Sequence, residues 1–226
     1  GQQITDVVFG LAADVLQPSA AAGAAISPDR LLQGNRVDVQ LLRSKEPTLS
    51  KIAADAVQLD ADASMISEPR YLSVLRDARA ELQAQTSEVA KLLENTALAA
   101  RIAPSMMGAD GPRTYFMGFQ TNAEARGTGG LLGGFGILRF DDGVATVDAL
   151  GSNRELEGPY APIDLGPQFN QQYGFTNATT DFRNSNASSH FPYTAQIWKS
   201  LWAQETGSNV DGVVAIDPVA LSYILG

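Results

Sequence analysis

The sequence predicts a helical N-terminal half, residues 1–108, followed by an α/β domain with a mixed sheet, residues 109–226. Three observations lead to this fold class. Apolar residues recur at helical spacing up to about residue 103. Beyond residue 108, short apolar runs alternate with Gly-rich turns, as they do in strands. The later order of elements (strand, hairpin, long loop, helix, strand, helix) is typical of an α/β domain.

The N-terminal half is predicted to form a helical bundle or hairpin with short breaks. Pro18 and the small residues after it are expected to end the first helix. Ser27-Pro28-Asp29 combines an N-cap residue, a proline and an acid, so it predicts a second helix that runs towards Leu42. A third helix is predicted from Pro47 to Glu68-Pro69.

A long helix is predicted to begin near Tyr71. Its apolar positions alternate steps of three and four residues, as in antiparallel helical hairpins. The role expected for this helix is packing rather than chemistry, because no cluster of acids or histidines lies on its inner face. The predicted buried seam comprises Leu75, Ala78, Leu82, Gln85, Val89, Leu92, Thr96 and Ala99.

The α/β half opens with a predicted buried strand at residues 115–119. A second strand is predicted at 131–140 and its partner at 144–150, joined through Asp141-Asp142-Gly143, because Asp-Gly is a strong type I′ turn signal. The elements predicted after this hairpin are an irregular stretch at 151–191, a helix at 192–206, a strand at 210–216 and a helix capped by Asp217-Pro218.

Composition excludes several classes of function. A formal net charge of −9 argues against nucleic-acid binding, which needs a basic surface. The chain has no Cys, which excludes disulfides, thiolate nucleophiles and Cys-bound zinc, and its single histidine, His190, excludes a multi-His metal site within it. No window reaches the roughly 18 uninterrupted apolar residues of a membrane span, and no signal peptide is recognisable.

The candidate active surface is a predicted loop at residues 122–130. Asn122, Glu124 and Arg126 alternate with small residues, so on an extended backbone their side chains point to one side. Arg126 suits phosphate or carboxylate, and the glycines let backbone amides approach an anion. The alternative is a structural ion pair between Glu124 and Arg126 that braces a Gly-rich turn. The predicted contacts, of which Arg126 and Glu124 are the catalytic candidates, are Asn122, Glu124, Arg126, Thr128, Gly129 and Gly130.

The segment 115–130 reads Tyr-Phe-Met-Gly-Phe-Gln-Thr-Asn-Ala-Glu-Ala-Arg-Gly-Thr-Gly-Gly, and two further motifs follow it at 186–192 and 210–221. Together they resemble the bacterial family catalogued as domain of unknown function 4012. The resemblance implies an extracytoplasmic, cell-surface protein anchored by one membrane helix before Gly1 and often encoded near polysaccharide genes. The α/β part is remotely similar to the LytR–CpsA–Psr glycopolymer transferases, whose fold we therefore expect. We also expect the native protein to continue beyond Gly226.

This resemblance implies a cell-envelope protein that binds an anionic glycopolymer, either polyprenyl-phosphate-linked or phosphate-bearing. If the protein is catalytic, the expected reaction is phosphoryl transfer in wall or exopolysaccharide assembly. Mg²⁺ and carboxylates would then stabilise the charge that develops on the pyrophosphate. The alternative is a non-catalytic scaffold module of the envelope that binds polysaccharide or protein.

Later residues supply further candidates. Asp217 and Asp211 are candidate Mg²⁺ ligands, although a helix N-cap also accounts for Asp217. Asn186 lies in the second resembling motif and is a candidate ligand contact. His190 stands where many relatives carry Asp, so it either replaces a base or metal ligand or serves as a cap or surface residue. The aromatic residues within 191–202 either present faces to sugars or pack in the core.

Overall fold

The computed structural model describes residues 2–69 and 73–217, together with Val219 and Ser222. The chain divides into two compact units. The first comprises residues 1–111 with 142–144, and the second comprises residues 112–141 with 145–226. The fold is mixed, with N-terminal helices followed by a sheet of parallel and antiparallel strands, as the sequence predicts.

The chain begins with a nearly continuous helical run. Helix α1 spans Gln2–Gly10, a π-helical segment spans Leu11–Leu16, and helix α2 spans Gln17–Ala25. The predicted break at Pro18 is wrong, because this proline lies in the first turn of α2. Pro18 follows directly on the π-helical segment, where the hydrogen-bond pattern changes, so its missing N–H does not end the run.

The sequence suggested no membrane-spanning segment, but the stretch Gln3–Ala25 is long and apolar enough to cross a membrane. Only length and composition support this assignment, and a signal sequence near an N-terminus passes the same test. Within the first unit, Val15 and Ala22 are buried in its apolar core, whereas Phe9 is 70% exposed. The run therefore buries one face and leaves much apolar surface uncovered.

The second predicted helix is much shorter than expected. Helix α3 spans only Pro28–Leu31, and a small hairpin of β1, Leu32–Gln33, and β2, Arg36–Val37, follows it. The turn of this hairpin contains Gly34, whose φ of 66° is readily adopted only by glycine. A new helix then starts, because the Asp38 carboxylate caps it by accepting a hydrogen bond from the Leu41 amide at 2.8 Å.

Two long helices form the body of the first unit. Helix α4 spans Val39–Ser64 and helix α5 spans Ser73–Met106. The predicted helix start at Pro47 is wrong, since this proline lies inside α4. The predicted start of the long helix near Tyr71 falls outside the described residues.

The buried stripe of α5 is displaced by one residue from the predicted seam. Leu92, which was expected to be buried, is 64% exposed. The prediction placed the larger side chains inside, whereas the helices pack through small ones that let their backbones approach closely. On α4 the stripe meets Leu49, Ile52, Ala53 and Ala56. The buried positions of α5 are Thr86, Ala90, Leu93, Ala97, Ala100 and Pro104.

The second unit is built on a sheet with the strand order β5-β4-β3-β6. The β3–β4 and β4–β5 connections are hairpins, and β6 pairs in parallel with β3. At the β4–β5 turn, Asp142 and Gly143 both have positive φ, 45° and 80°, as the predicted type I′ turn requires. The elements are β3 Arg113–Arg126, β4 Gly129–Asp141, β5 Val144–Ser152, α6 Pro167–Tyr173, α7 Phe191–Thr206 and β6 Gly212–Ile216.

One face of this sheet packs against α7. The Trp198 ring is fully buried and lies against Gly118, where an added Cβ would come within 2.2 Å of it. The Trp198 indole donates a hydrogen bond to Ser185 Oγ at 2.7 Å. Trp198 therefore belongs to the core. The predicted irregular stretch 151–191 contributes Leu156 and Phe169 to the same core.

Candidate functional site

The two parallel strands of the second unit end at a common edge. Phe119 on β3 lies opposite Ile216 on β6, so the strands lead side by side to Gln120 and Asp217. In open α/β sheets, ligands bind in crevices outside the carboxyl ends of the strands. A cleft of about 620 Å³ lies at this edge, which is within the range of small-molecule sites. We call it the β3–β6 cleft.

The lining of the β3–β6 cleft is about half polar and half apolar, and it is mostly uncharged. It combines two hydroxyls, one amide, an aromatic ring and small apolar groups, and among the lining residues described Asp217 carries the charge. Such a surface suits a neutral polar ligand better than a polyanion. The lining residues are Gln120, Gly127, Thr128, Ser189, Phe191, Val213, Val214, Ala215 and Asp217.

Hydrogen bonds fix the tip of the β3–β4 hairpin at this cleft. Thr128 Oγ1 accepts hydrogen bonds from Gln120 Nε2 at 2.7 Å and from Asn186 Nδ2 at 3.1 Å. Asn186 is fully buried and also donates to the Gly130 carbonyl at 2.7 Å. A buried amide left without partners is costly, so these donors are committed to the hairpin. Asn186 therefore positions Thr128 and does not line the cleft.

The glycines of the hairpin tip serve close backbone approach. A Cβ at Gly127 would lie 2.3 Å from the Ala187 carbonyl oxygen, and one at Gly130 would lie 2.2 Å from that of Thr121. Real side chains do not tolerate such distances, so both positions require glycine. Residues 122–130 were predicted to form a loop. Instead β3 continues to Arg126, which pairs with Gly129.

Two of the groups that orient Asp217 are neutral hydrogen-bond donors. Its Oδ2 accepts a hydrogen bond from Asn122 Nδ2 at 2.7 Å, and its Oδ1 accepts one from the Val219 amide at 2.8 Å. The second bond is the predicted helix N-cap. Most of the helix after Asp217 lies outside the described residues. Asn122 reaches Asp217 because it lies in a bulge, between the paired residues Thr121 and Ala125.

The Arg126 side chain, which was predicted to bind an anion, instead forms hydrogen bonds within the protein. Its guanidinium donates to the Ala125 carbonyl at 2.9 Å and to the Arg183 carbonyl at 3.3 Å. Glu124 lies 3.6 Å from it and is 58% exposed. Arg126 is not among the residues that line the β3–β6 cleft. The geometry corresponds to the alternative interpretation, an ion pair that braces the hairpin.

Asp211 lies at the opposite end of β6 from Asp217, so the two predicted metal ligands are not brought together. Its carboxylate accepts hydrogen bonds from the Thr114 amide at 2.8 Å and from Arg113 at 3.0 Å. These two groups, in that order, hold the pKa of Asp211 below its ordinary value. Within the described part of the chain, no group of three or more His, Asp or Glu side chains is placed to hold a metal ion.

His190 precedes α7 at its N-cap position, and its side chain makes no capping hydrogen bond. Its exposed ring packs edge-on against Tyr193, with the ring centroids 5.0 Å apart. The neighbouring residues Ser189 and Phe191 line the β3–β6 cleft, and His190 does not. The structure thus places His190 at the rim of the site.

A second cleft of the same unit, of about 540 Å³, contains Arg154 and Arg183. Arg183 is paired with Asp181 at 2.6 Å, and this contact lowers the pKa of Asp181. Burial, followed by a hydrogen bond to Glu205, raises the pKa of Tyr160, which also lines this cleft. Two arginines and two acids line it, Arg154, Arg183, Glu157 and Asp181, so it shows no preference for an anion.

Sequence reasoning missed Gln120, Ser189 and the three β6 residues that line the cleft. The sequence pattern around Gln120 could have identified it as a candidate. It follows Phe116 and Gly118 at strand period on the face that packs on α7, and it is only 5% exposed. A polar residue at a buried strand position requires a partner, and here that partner is Thr128. The contribution of β6 depends on strand pairing, which local patterns do not reveal.

The family model described as "Protein of unknown function (DUF4012)" matches residues 110–226, which include all of the β3–β6 cleft. No curated protein matches the chain. No solved structure matches it either.

Proposed function

Since the chain belongs to the DUF4012 family of proteins of unknown function, we propose from its own geometry that the second unit binds a neutral polysaccharide of the cell envelope in the β3–β6 cleft. The observation that carries this proposal is the lining itself. A hydroxyl on Thr128, a carboxylate on Asp217 and a ring on Phe191 occupy one cleft. Sugars offer hydroxyl groups to a carboxylate and an apolar ring face to an aromatic side chain.

Charge also favours a neutral ligand. The chain has a formal net charge of −9, which repels polyanions at long range. The guanidinium of Arg126 is already bonded to two backbone carbonyls. The proposed role is binding without turnover, in which the first unit acts as a spacer. It requires no metal ion.

The proposed location is the extracytoplasmic face of a membrane. Two observations support it, namely the family resemblance and the apolar helical stretch Gln3–Ala25. A membrane-anchored polysaccharide binder would hold its polymer close to the cell surface. The location can be tested by protease treatment of intact cells that express the full-length protein, since digestion is expected only if the second unit lies outside.

Retention on immobilised polysaccharides tests the binding proposal. The panel comprises a neutral hexose polymer, an N-acetylated polymer, a uronate polymer and a phosphate-bearing teichoic acid. We expect retention by one or both neutral polymers, and about tenfold weaker binding by Asp217→Asn, since a hydrogen bond to a charged group contributes about 1.5–3 kcal/mol. Asp211→Asn, at the other end of β6, is the matched control and should bind normally. Lack of retention by both neutral polymers would refute the proposal.

A second candidate function is phosphoryl transfer from a polyprenyl-linked donor, in the manner of LytR–CpsA–Psr proteins. It is favoured by Arg126, whose side chain remains 29% exposed, and whose contact with Glu124 is long at 3.6 Å. This candidate predicts pyrophosphate release from a polyprenyl-pyrophosphoryl sugar with Mg²⁺, and its loss in Arg126→Ala. It ranks below binding because Arg126 does not line the β3–β6 cleft.

A further inference from the structure

The Thr128 hydroxyl has a fixed role as a hydrogen-bond donor. A hydroxyl oxygen accepts at most two hydrogen bonds and donates one. Thr128 Oγ1 already accepts from Gln120 at 2.7 Å and from Asn186 at 3.1 Å. Among the described residues nothing accepts the Thr128 proton, and the residue lines the β3–β6 cleft. A ligand group that meets Thr128 must therefore be an acceptor.

Asp217 imposes the complementary requirement. An ionised carboxylate accepts hydrogen bonds and donates none. The ligand group that meets Asp217 must therefore be a donor, and a second carboxylate or a phosphate placed there would be repelled. Asn122 and the Val219 amide hold this carboxylate in one orientation. The cleft thus combines a donor and an acceptor whose roles do not interchange.

The remaining wall of the cleft is apolar. The Phe191 ring is partly buried, and Val213 and Ala215 lie beside it on the face of β6 that packs on the core. An apolar substituent placed there would leave water at a gain of about 25 cal/mol per Å² buried. A bare hydroxyl gains nothing from this wall.

We infer that the β3–β6 cleft selects N-acetylated sugars, an inference that rests on the proposed polysaccharide binding. The acetamido group carries an acceptor carbonyl for Thr128, a donor N–H for Asp217 and an apolar methyl for the wall formed by Phe191, Val213 and Ala215. It is also uncharged. A plain hexose lacks the methyl group, and a uronate adds a charge that Asp217 opposes.

Titration of the purified chain with two matched trisaccharides tests this selection. Tri-N-acetylchitotriose and cellotriose share one backbone and differ at the 2-position, where the first carries acetamido groups and the second hydroxyls. We expect at least about tenfold tighter binding of the acetylated trisaccharide, measured by calorimetry or by NMR shifts, because one hydrogen bond and one buried methyl are lost in the other. Equal affinities, or tighter binding of cellotriose, would overturn the inference.

Variants at Thr128 connect the preference to the hydroxyl. Thr128→Ser keeps the hydroxyl and should keep the preference, whereas Thr128→Val should reduce the affinity ratio to about fourfold, the part that the buried methyl supplies. Because the valine also removes the acceptor used by Gln120 and Asn186, its fold is checked by circular dichroism. If Thr128→Val does not fold, the wild-type titration still decides. A preference that is undiminished in folded Thr128→Val contradicts the role given to the hydroxyl.

The two proposals fail in different ways. If no polysaccharide of the panel is retained and neither trisaccharide binds, the binding function itself is refuted. If the neutral hexose polymer is retained but the acetylated trisaccharide gives no response, binding stands and the selection of acetamido groups is refuted.

Discussion

The two ends of strand β6 carry the same residue type in opposite circumstances. At its start, Asp211 pairs with the Arg113 guanidinium at 3.0 Å and with the Thr114 amide at 2.8 Å. At its end, Asp217 accepts a hydrogen bond from the Asn122 side-chain amide and lines a cleft. The Asp211 carboxylate is engaged in hydrogen bonds within the sheet, whereas the Asp217 carboxylate forms part of a surface where a ligand fits. An aspartate beside a strand is therefore a site candidate only where the fold leaves a crevice beside it.

The largest effect is expected at Asn186, the buried amide that supports the hairpin tip at the β3–β6 cleft. Asn186→Ala removes the hydrogen-bond donor to the Gly130 carbonyl and to Thr128 Oγ1 in a buried environment. We expect it to lower the free energy of unfolding by about 2–3 kcal/mol. It should also abolish glycan binding, because Thr128 loses its support. Urea denaturation measures the loss, and Asn170→Ala, on the exposed surface of α6, is the matched control. Equal stability of the two variants would show that the Asn186 bonds are dispensable.

The next largest effect on stability is expected at Gly127, where two backbone segments approach each other closely at the hairpin tip. Gly127→Ala places a Cβ 2.3 Å from the Ala187 carbonyl oxygen, so we expect a destabilisation of about 1–3 kcal/mol. Gly174→Ala is the matched control, since nothing lies within 4 Å of a Cβ there and its φ is −55°. A thermal melt of both variants checks the prediction. The prediction is wrong if the two midpoints agree.

A substitution at Asp211, at the start of β6, should have a smaller effect on stability, and this effect should depend on pH. Asp211→Asn removes a charged partner from a half-exposed ion pair, so we expect a loss of about 1 kcal/mol at neutral pH, discounted for solvent screening. The folded pKa of Asp211 is depressed. Its contribution is therefore present above the unfolded pKa of about 3.9 and is lost as the pH falls through the lower folded value.

Denaturation of Asp211→Asn and the wild type between pH 7 and pH 2 measures this dependence. The difference in unfolding free energy should stay constant down to about pH 5 and shrink below about pH 4. A difference that grows on acidification would contradict the depressed pKa.

The smallest effect is expected at the predicted ion pair. Glu124 is 58% exposed and lies 3.6 Å from Arg126, so Glu124→Gln should change stability by less than about 0.5 kcal/mol. Glycan retention should not change. A large loss of retention with intact stability would favour the anionic-ligand hypothesis over neutral binding.

Local patterns predicted many of the elements. The hairpin turn at Asp142-Gly143, the strand β6 and the helix α7 were all visible from turn chemistry and periodicity. Errors arose where packing overrode the pattern. The buried positions of α5 lie one residue away from the predicted ones, because the helices pack through alanines. A short hairpin at residues 32–37 replaced a predicted helix because Gly34 permits a turn.

For the candidate site, the sequence identified the chemically notable residues but not their partners. It singled out Arg126, Thr128 and Asp217 from residue type and position in the chain, and Asn186 from the family resemblance. It assigned the anion-binding role to Arg126, because a guanidinium within a Gly-rich segment has that capacity. Only the fold shows that this guanidinium binds the carbonyls of Ala125 and Arg183.

The mixed α/β class, the strands of the second unit, helix α7, the negative charge and the family could all be read from the sequence, because each is encoded in composition or in short-range order. Which side chains share a cleft depends on the tertiary structure. Thr128 and Asp217 are 89 residues apart, and β6 lies beside β3 only through parallel pairing across a long connection. Such pairing depends on the burial of whole faces against α7. For this reason no local spacing could place these two residues in one cleft.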